Sequence, residues 1–163
     1  MKRETIRRWL VPAVMLLSVA LIGGYLYRLQ GQDRISHAKL ETVTAAVTEA
    51  VDTQAMQAAD AQKIKRLYGL NPADYAGVVL YYPVTNMDAE ELLLVQLNQL
   101  SQQETVEAAV QSRLETQKTS FDGYGAEQTA LLEESVLEVR GNYILFVVHP
   151  EAAAARTAFL QTL

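Results

Sequence analysis

The most constraining feature of the sequence is an apolar segment near its N-terminus, RRWLVPAVMLLSVALIGGYLYR, residues 7–28. Between its flanking arginines, nineteen uncharged residues run from Trp9 to Tyr27. As an α-helix this stretch would be roughly 28 Å long, close to the ~30 Å thickness of the bilayer hydrocarbon. The segment therefore predicts a transmembrane helix at residues 9–27.

A cleaved secretory signal is the main alternative interpretation, and a helix buried in the domain is a third. Ser18-Val19-Ala20 could serve as a cleavage site of small residues, but residues 21–27 after it are still apolar, so cleavage would leave an apolar new terminus. Trp9 at one end and Tyr25 and Tyr27 at the other are typical of the aromatic belts at membrane interfaces. We therefore expect the segment to be retained as a signal-anchor.

The charges around the segment predict its orientation. Four basic residues precede it and one follows it: Lys2, Arg3, Arg7, Arg8 and then Arg28. By the positive-inside rule, the N-terminus is cytoplasmic and the rest of the chain is translocated. The predicted organisation of this single-pass cell-membrane protein is a cytoplasmic tail at residues 1–8, an anchor at 9–27, a juxtamembrane linker at 28–35 and an extracytoplasmic domain at 36–163.

The charge of the predicted domain limits its partners. From Leu29 onward the sequence has nine Lys or Arg residues and eighteen Asp or Glu residues, a net charge near −9. Such a surface repels phosphate polymers, so no nucleic-acid partner is expected, and anionic lipid or wall polymer is disfavoured. The chain has no cysteine, which excludes disulfides, thiolate metal sites and lipid attachment through cysteine.

In the first half of the predicted domain, the sequence indicates two helices followed by two strands. Residues 36–59 are expected to be helical, because Leu40, Val43, Val47 and Val51 recur at helical spacing. A second helix is expected to begin after Asp60 as N-cap and to stop at Gly69, with one short turn at residues 71–74. Apolar and β-branched residues then predict strands at 75–83 and 91–97.

In the second half, the sequence again indicates two helices followed by two strands, and then a last helix. A capping box at residues 101–104 predicts a helix to about residue 119, and a short helix is expected at 126–133. Two strand-like runs flank Gly141-Asn142, a two-residue hairpin turn, and Pro150 starts a last helix. We expect an α+β fold, with an antiparallel four-stranded sheet of two β-hairpins covered by helices. Apolar side chains on both faces of residues 78–80 and 144–148 predict that helices cover both sides.

The sequence offers little that indicates catalysis. His37 and His149 have no carboxylates at metal-ligand spacing, and the motifs of serine hydrolases, zinc proteases, phosphate loops and calcium loops are absent. Glu90-Glu91 and Glu133-Glu134 are adjacent carboxylates, which point in different directions along a helix or strand and are expected to be solvated. We predict no catalytic residue, no metal and no cofactor.

One group of residues has the spacing of a candidate binding site. The group lies at three- and four-residue steps across a helix and the turn after it, and comprises Arg113, Gln117, Phe121, Tyr124 and Gln128. It could form a polar-aromatic groove near Tyr143 for a peptide, a sugar or a partner surface. Alternatively, a buried arginine and glutamine fix the loop while the two aromatic rings close the edge of the core. The structural alternative is favoured.

Several of these residues carry a resemblance to a known family. They are, in order, Tyr68-Gly69-Leu70 with Asp74-Tyr75, Met87-x-x-Glu90-Glu91, Arg113-x-x-x-Gln117-x-x-x-Phe121-x-x-Tyr124 and Gly141-Asn142-Tyr143. This pattern resembles domain of unknown function family 4358 over roughly residues 36–162. The resemblance implies a small extracytoplasmic protein of a Gram-positive bacterium, a group in which many members are lipoproteins. Here the leader helix would replace the lipid as the tether, and the family supplies no catalytic residues.

Three functions are compatible with these features. The favoured one is a non-enzymatic, membrane-tethered module that binds a protein or another component of the Gram-positive cell envelope. The second is a small-molecule sensor or solute-binding domain, which requires a well-formed pocket with a few polar groups. The third is an envelope hydrolase or transferase using carboxylates such as Glu90 and Glu91, which requires two carboxylates that converge in a cleft.

Overall fold

The computed structural model describes residues 18, 35–123 and 125–163, and one compact unit spans Ile35–Leu163. The predicted cytoplasmic tail, the predicted transmembrane helix apart from Ser18, and most of the linker therefore lie outside the described residues. Within the part of the chain that is described, no helix combines the length and apolar character needed to cross a membrane.

From Ile35 onward the described chain contains five α-helices and five strands. In chain order they are α1 Leu40–Glu49, β1 Met56–Ala58, α2 Ala61–Tyr68, β2 Gly77–Pro83, β3 Glu91–Gln96, α3 Gln103–Phe121, α4 Ala126–Glu133, β4 Val136–Arg140, β5 Tyr143–Val148 and α5 Ala152–Thr162. Short 3-10 turns at Pro72–Asp74 and Leu100–Gln102 precede β2 and α3. The elements confirm the α+β class.

The five strands form one antiparallel sheet in the order β1-β2-β3-β5-β4. The predicted pairs β2–β3 and β4–β5 are both present, and β3 joins them by pairing with β5. The prediction of four strands is wrong, because β1 adds a fifth at the edge, with Met56 opposite Pro83 and Ala58 opposite Tyr81.

The additional strand occupies residues that were expected to be helical. Residues 35–39 have no regular secondary structure, and α1 covers only the middle of the predicted 36–59 helix. After α1, the Asp52 carboxylate accepts a hydrogen bond from the Gln54 amide at 2.9 Å, which forms a local turn. The strand β1 is only three residues long and lacks β-branched and aromatic residues, so pairing with β2 rather than local propensity determines its conformation.

Helices cover both faces of the sheet, as predicted. One face packs against α2, α3 and α4 through Leu80, Leu93, Val95, Ile144 and Phe146. The other packs against α1 and α5 through Leu92, Leu94, Tyr143, Leu145 and Val147. Successive side chains of a strand point to opposite faces, so β3 and β5, apolar at nearly every position, are buried on both sides.

Local signals at element ends are mostly confirmed. The Asp60 carboxylate caps α2 by accepting from the Lys63 amide at 2.7 Å, and Gly69 ends that helix with φ 69°. Gly141 has φ 54° in the β4–β5 turn, as a type II′ hairpin requires of its first central residue. The prediction of a capping box at residues 101–104 is wrong. Instead, the side-chain oxygen of Gln102 accepts from the amides of Asn98 at 2.9 Å and Gln99 at 3.1 Å.

Hydrogen bonds hold residues 36–38, at the start of the domain, against the β4–β5 turn and the first residue of β5. The Ser36 amide donates to Asn142 Oδ1 at 2.8 Å, and the Tyr143 hydroxyl donates to the Ala38 carbonyl oxygen at 2.8 Å. In the pairing of β3 with β5, Tyr143 stands opposite Gln96, whereas Glu91 stands opposite Val148. The domain therefore begins at one end of the strands, and Glu91 marks the other end, about 17 Å away.

Candidate functional site

The structure brings together three of the five predicted binding residues. Arg113, Gln117 and Phe121 follow one another at one-turn spacing on α3 and line the same cleft. Gln128 is half-exposed on α4 and does not line this cleft. Tyr124 lies outside the described residues.

The predicted proximity of this group to Tyr143 is wrong. Tyr143 belongs to the opposite face of the sheet, where its ring packs edge-on against Phe159 at 6.5 Å between centroids. Neighbouring residues of β5 alternate between faces, so Ile144 and Phe146 are the ones that face the α3 side.

The residue that organises the site is Glu91, which was expected to be solvated with Glu90. Its side chain is instead fully buried, at 0% exposure, whereas Glu90 is half-exposed. Glu91 is the first residue of β3 and points to the same face as Leu93 and Val95, towards α2 and α3. A carboxylate at such a position must be paired with donors, because burying an unpaired charge is very costly.

Arg113 supplies the largest part of that pairing. Its Nε lies 3.1 Å from Glu91 Oε1 and 3.2 Å from Oε2, and its Nη2 donates to Oε2 at 2.6 Å. Burial alone would lower the pKa of the Arg113 guanidinium, but the hydrogen bonds and the charge of Glu91 raise this pKa above its ordinary value. The Arg113 guanidinium is therefore positively charged at neutral pH.

Two neutral groups complete the shell around the carboxylate. The Tyr68 hydroxyl at the end of α2 donates to Glu91 Oε1, and Gln117 Nε2 donates to Oε2 at 2.9 Å. Burial raises the pKa of the Tyr68 hydroxyl well above its ordinary value, and the negative charge of Glu91 raises it further. This cluster of Tyr68, Glu91, Arg113 and Gln117, which we call the Glu91 cluster, links α2, β3 and α3.

The geometry of the cluster indicates what Glu91 can do chemically. Both carboxylate oxygens already accept hydrogen bonds, from three different side chains. A general base must instead have an oxygen within hydrogen-bonding reach of the proton that it removes from a substrate. Glu91 therefore holds Arg113 and Gln117 in place, and the partner of these two residues is a strand carboxylate.

The cleft in front of the cluster has a volume of about 520 Å³. Arg113, Gln117 and Phe121 of α3 line it, together with side chains of α2, the end of β2 and the β2–β3 loop. Lys63 of α2 places its Nζ 4.1 Å from the centroid of the Tyr82 ring, a cation–π contact. A second cleft of about 400 Å³ shares the lining residues Lys63 and Tyr82 with the first.

The β2–β3 loop forms the rim of the larger cleft. The Thr85 hydroxyl donates to Asp88 Oδ2 at 2.7 Å and accepts from the Met87 amide at 3.2 Å, which fixes the turn. Val84 lines the cleft and is 56% exposed, and Met87 of the same loop, which does not line the cleft, is 63% exposed. The charged lining residues of α2 and this loop, Lys63 and Asp88, were not among the predicted binding residues.

The two histidines lie away from this cleft. His37 is exposed, and His149 follows β5, where its Nδ1 accepts from the Glu151 amide at 3.0 Å and its Nε2 is 3.1 Å from the Asp52 carbonyl oxygen. Because Nδ1 accepts a hydrogen bond, Nε2 is the nitrogen placed to donate to the Asp52 carbonyl oxygen, so His149 links the end of β5 to the segment after α1. Among the described residues, no three His, Asp or Glu side chains gather closely enough to hold a metal ion.

Comparison with known proteins identifies the chain through a family alone. No curated protein and no solved structure matches it. The family model described as "Domain of unknown function (DUF4358)" matches residues 49–149. That segment includes the sheet from β1 to β5, the helices α2, α3 and α4, and all four residues of the Glu91 cluster. The chain therefore belongs to the DUF4358 family, as the pattern of its residues predicted.

Proposed function

We propose that this chain is a membrane-tethered, extracytoplasmic binding module of the Gram-positive cell envelope, which holds its ligand or partner in the cleft before the Glu91 cluster. The tether is the segment at residues 9–27, and the binding domain is the unit at residues 36–163. The observation that carries the proposal is the cleft of about 520 Å³, whose polar wall is fixed by a buried ion pair.

The rigidity of this wall supports recognition. Arg113 and Gln117 present polar groups to the cleft while their positions are fixed by Glu91 behind them. Side chains that are already immobilised lose little conformational entropy when a ligand binds, so more of the contact energy contributes to affinity. Val84 at the cleft and Met87 nearby in the β2–β3 loop add exposed apolar surface of the kind found at protein interfaces.

A solute-binding or sensor domain is the second candidate, and the cleft also supports it. Its volume is within the ~300–1,000 Å³ range of small-molecule sites. The hydrolase alternative draws no support from this geometry, because Glu91 is paired with Arg113 and not with a second carboxylate.

The proposal is tested on intact cells by photo-crosslinking from the rim. A photoreactive amino acid replaces Met87, and a matched control carries the same group at Thr157, which is exposed on α5 at the other face of the sheet. Covalent products that form from position 87 and not from 157 support a binding role for the cleft. Identical products, or none from either position, contradict the capture of a protein partner.

Protoplasts test the location independently. Protease added outside intact protoplasts should remove the domain at residues 36–163 and leave a cytoplasmic control protein undigested. Protection of the domain would show that the orientation is the reverse of the proposal.

A further inference from the structure

The cleft contains one positive and one negative charge without a partner of opposite sign. The charge of Arg113 is balanced by Glu91 at 2.6 Å. Lys63 and Asp88 also line the cleft, and neither takes part in an ion pair within 4.0 Å among the described residues. Lys63 contacts the Tyr82 ring, and Asp88 accepts only from the neutral Thr85 hydroxyl.

The two charges belong to different walls of the cleft. Lys63 lies on α2, beside Tyr82, whereas Asp88 lies in the β2–β3 loop. Arg113 adds a fixed donor, since Glu91 engages its Nε and Nη2 while the side chain remains 15% exposed and lines the cleft. A carboxylate in the cleft could therefore be bound by Lys63 and the free part of the Arg113 guanidinium, a group well suited to carboxylates.

This charge pattern selects among classes of ligand. A simple anion would meet a domain with a net charge near −9 and the carboxylate of Asp88. A simple cation would be repelled by Lys63 and Arg113, which line the same cleft. A ligand that carries both charges, separated from one another, is attracted by both walls and adds no net charge. Leu67 and Phe121 provide apolar surface for the remainder of such a ligand.

We propose that the cleft binds a small zwitterion, a free amino acid or a short peptide. Its carboxylate lies towards Lys63 and Arg113, and its ammonium group lies towards Asp88. This inference rests on the proposed binding function and names the class of ligand for the same cleft.

The test uses the full chain in detergent micelles and measures its melting temperature. The probes are the twenty amino acids and a set of dipeptides, at millimolar concentration. A zwitterion that binds the folded protein raises the melting temperature. For the best probe, the N-acetyl and C-terminal amide derivatives, each lacking one charge, should bind about tenfold more weakly or worse.

Two variants locate the bound probe. Lys63→Gln and Asp88→Asn each remove one charge from a half-exposed side chain, and each should weaken binding about tenfold, with every melting temperature compared with that of the same variant without probe. Lys65→Gln and Glu115→Gln are matched controls on α2 and α3, because both side chains are exposed and lie outside the cleft, and binding should be unchanged.

Three results would overturn the zwitterion proposal: no probe raises the melting temperature, the N-acetyl derivative binds as well as its parent, or binding survives Lys63→Gln unchanged. The crosslinking experiment at position 87 tests the proposed binding function separately from the zwitterion proposal. If the probes are silent but crosslinking at position 87 captures a specific partner, the module binds a ligand of another class. If crosslinking is also silent, both proposals are wrong.

Discussion

Arg113 of α3 and Glu91 of β3 form a buried ion pair in which Nη2 and Oε2 are 2.6 Å apart and the carboxylate has no exposure to solvent. The two residues are 22 positions apart in the sequence. Their contact links the helix that forms one wall of the cleft to a central strand of the sheet. The integrity of the cleft therefore depends on this pair.

Removing one partner of the pair should destabilise the domain strongly. Arg113→Met leaves Glu91 buried and charged, at an expected cost of about 3–5 kcal/mol in the free energy of unfolding. The double variant Arg113→Met/Glu91→Leu should be more stable than the sum of the two single losses implies, by about 1 kcal/mol or more. Urea denaturation measures all three variants, with Glu115→Ala on the exposed side of α3 as control. Additive losses would show that the two side chains are not coupled.

Stability should fall at alkaline pH because of Tyr68. The pKa of this hydroxyl is raised in the folded domain, so its contribution to stability is complete below the unfolded-state pKa of about 10 and is lost as pH rises through the folded-state pKa. Tyr68→Phe cannot ionise and should show a smaller loss of stability between pH 9 and about 11.

In Tyr68→Phe, the loss of stability at alkaline pH will be reduced rather than abolished, because burial also raises the pKa of Tyr75 and of Tyr143. Urea midpoints at a series of pH values provide the measurement. Equal slopes in wild type and Tyr68→Phe would mean that Tyr68 ionises normally in the folded state.

The β4–β5 turn should be a determinant of stability. Gly141 has φ 54°, a region that β-branched residues resist, so Gly141→Val should cost about 1–3 kcal/mol through backbone strain. Gly141→Asn is the matched control, because asparagine tolerates positive φ far better than valine. The urea midpoint should decrease in the order wild type, Asn variant, Val variant. A midpoint unaffected by valine is the contrary result.

The leader should be present in the mature protein. The apolar run continues for seven residues beyond Ala20, which is unlike the end of a cleaved signal. Mass spectrometry of the protein purified from native membranes should detect peptides from the first twenty residues. A mature N-terminus at Leu21 would show that the segment is a signal peptide.

The features that could be predicted from the sequence are those determined by residues close to one another along the chain. The Asp60 cap, the Gly69 stop and the Gly141-Asn142 turn depend on residues within a few positions, and all three are present. The alignment of Arg113, Gln117 and Phe121 follows from helical periodicity alone.

What could not be predicted depends on distant partners. Glu91 is paired with Tyr68 and Arg113, which are 23 and 22 positions away, and neighbouring residues gave no sign of either contact. A signal was nevertheless present: Glu91 alternates with Leu93 and Val95 in a strand that is apolar on both faces, so burial of its side chain was implied. The strand β1 had no such signal, because three residues without strand propensity become a strand only by pairing with β2.

The place where the domain begins has a mechanical consequence. Ser36 is fastened to Asn142 at one end of the strands, and the cleft lies beside Glu91 at the other. In the proposed tethered module, tension between the N-terminal anchor and a ligand in the cleft would act along the strands, perpendicular to the hydrogen bonds between them. Those bonds would be loaded together, in shear, rather than opened one after another as in a zipper. The proposed tethered module would therefore be suited to hold its ligand against a pull.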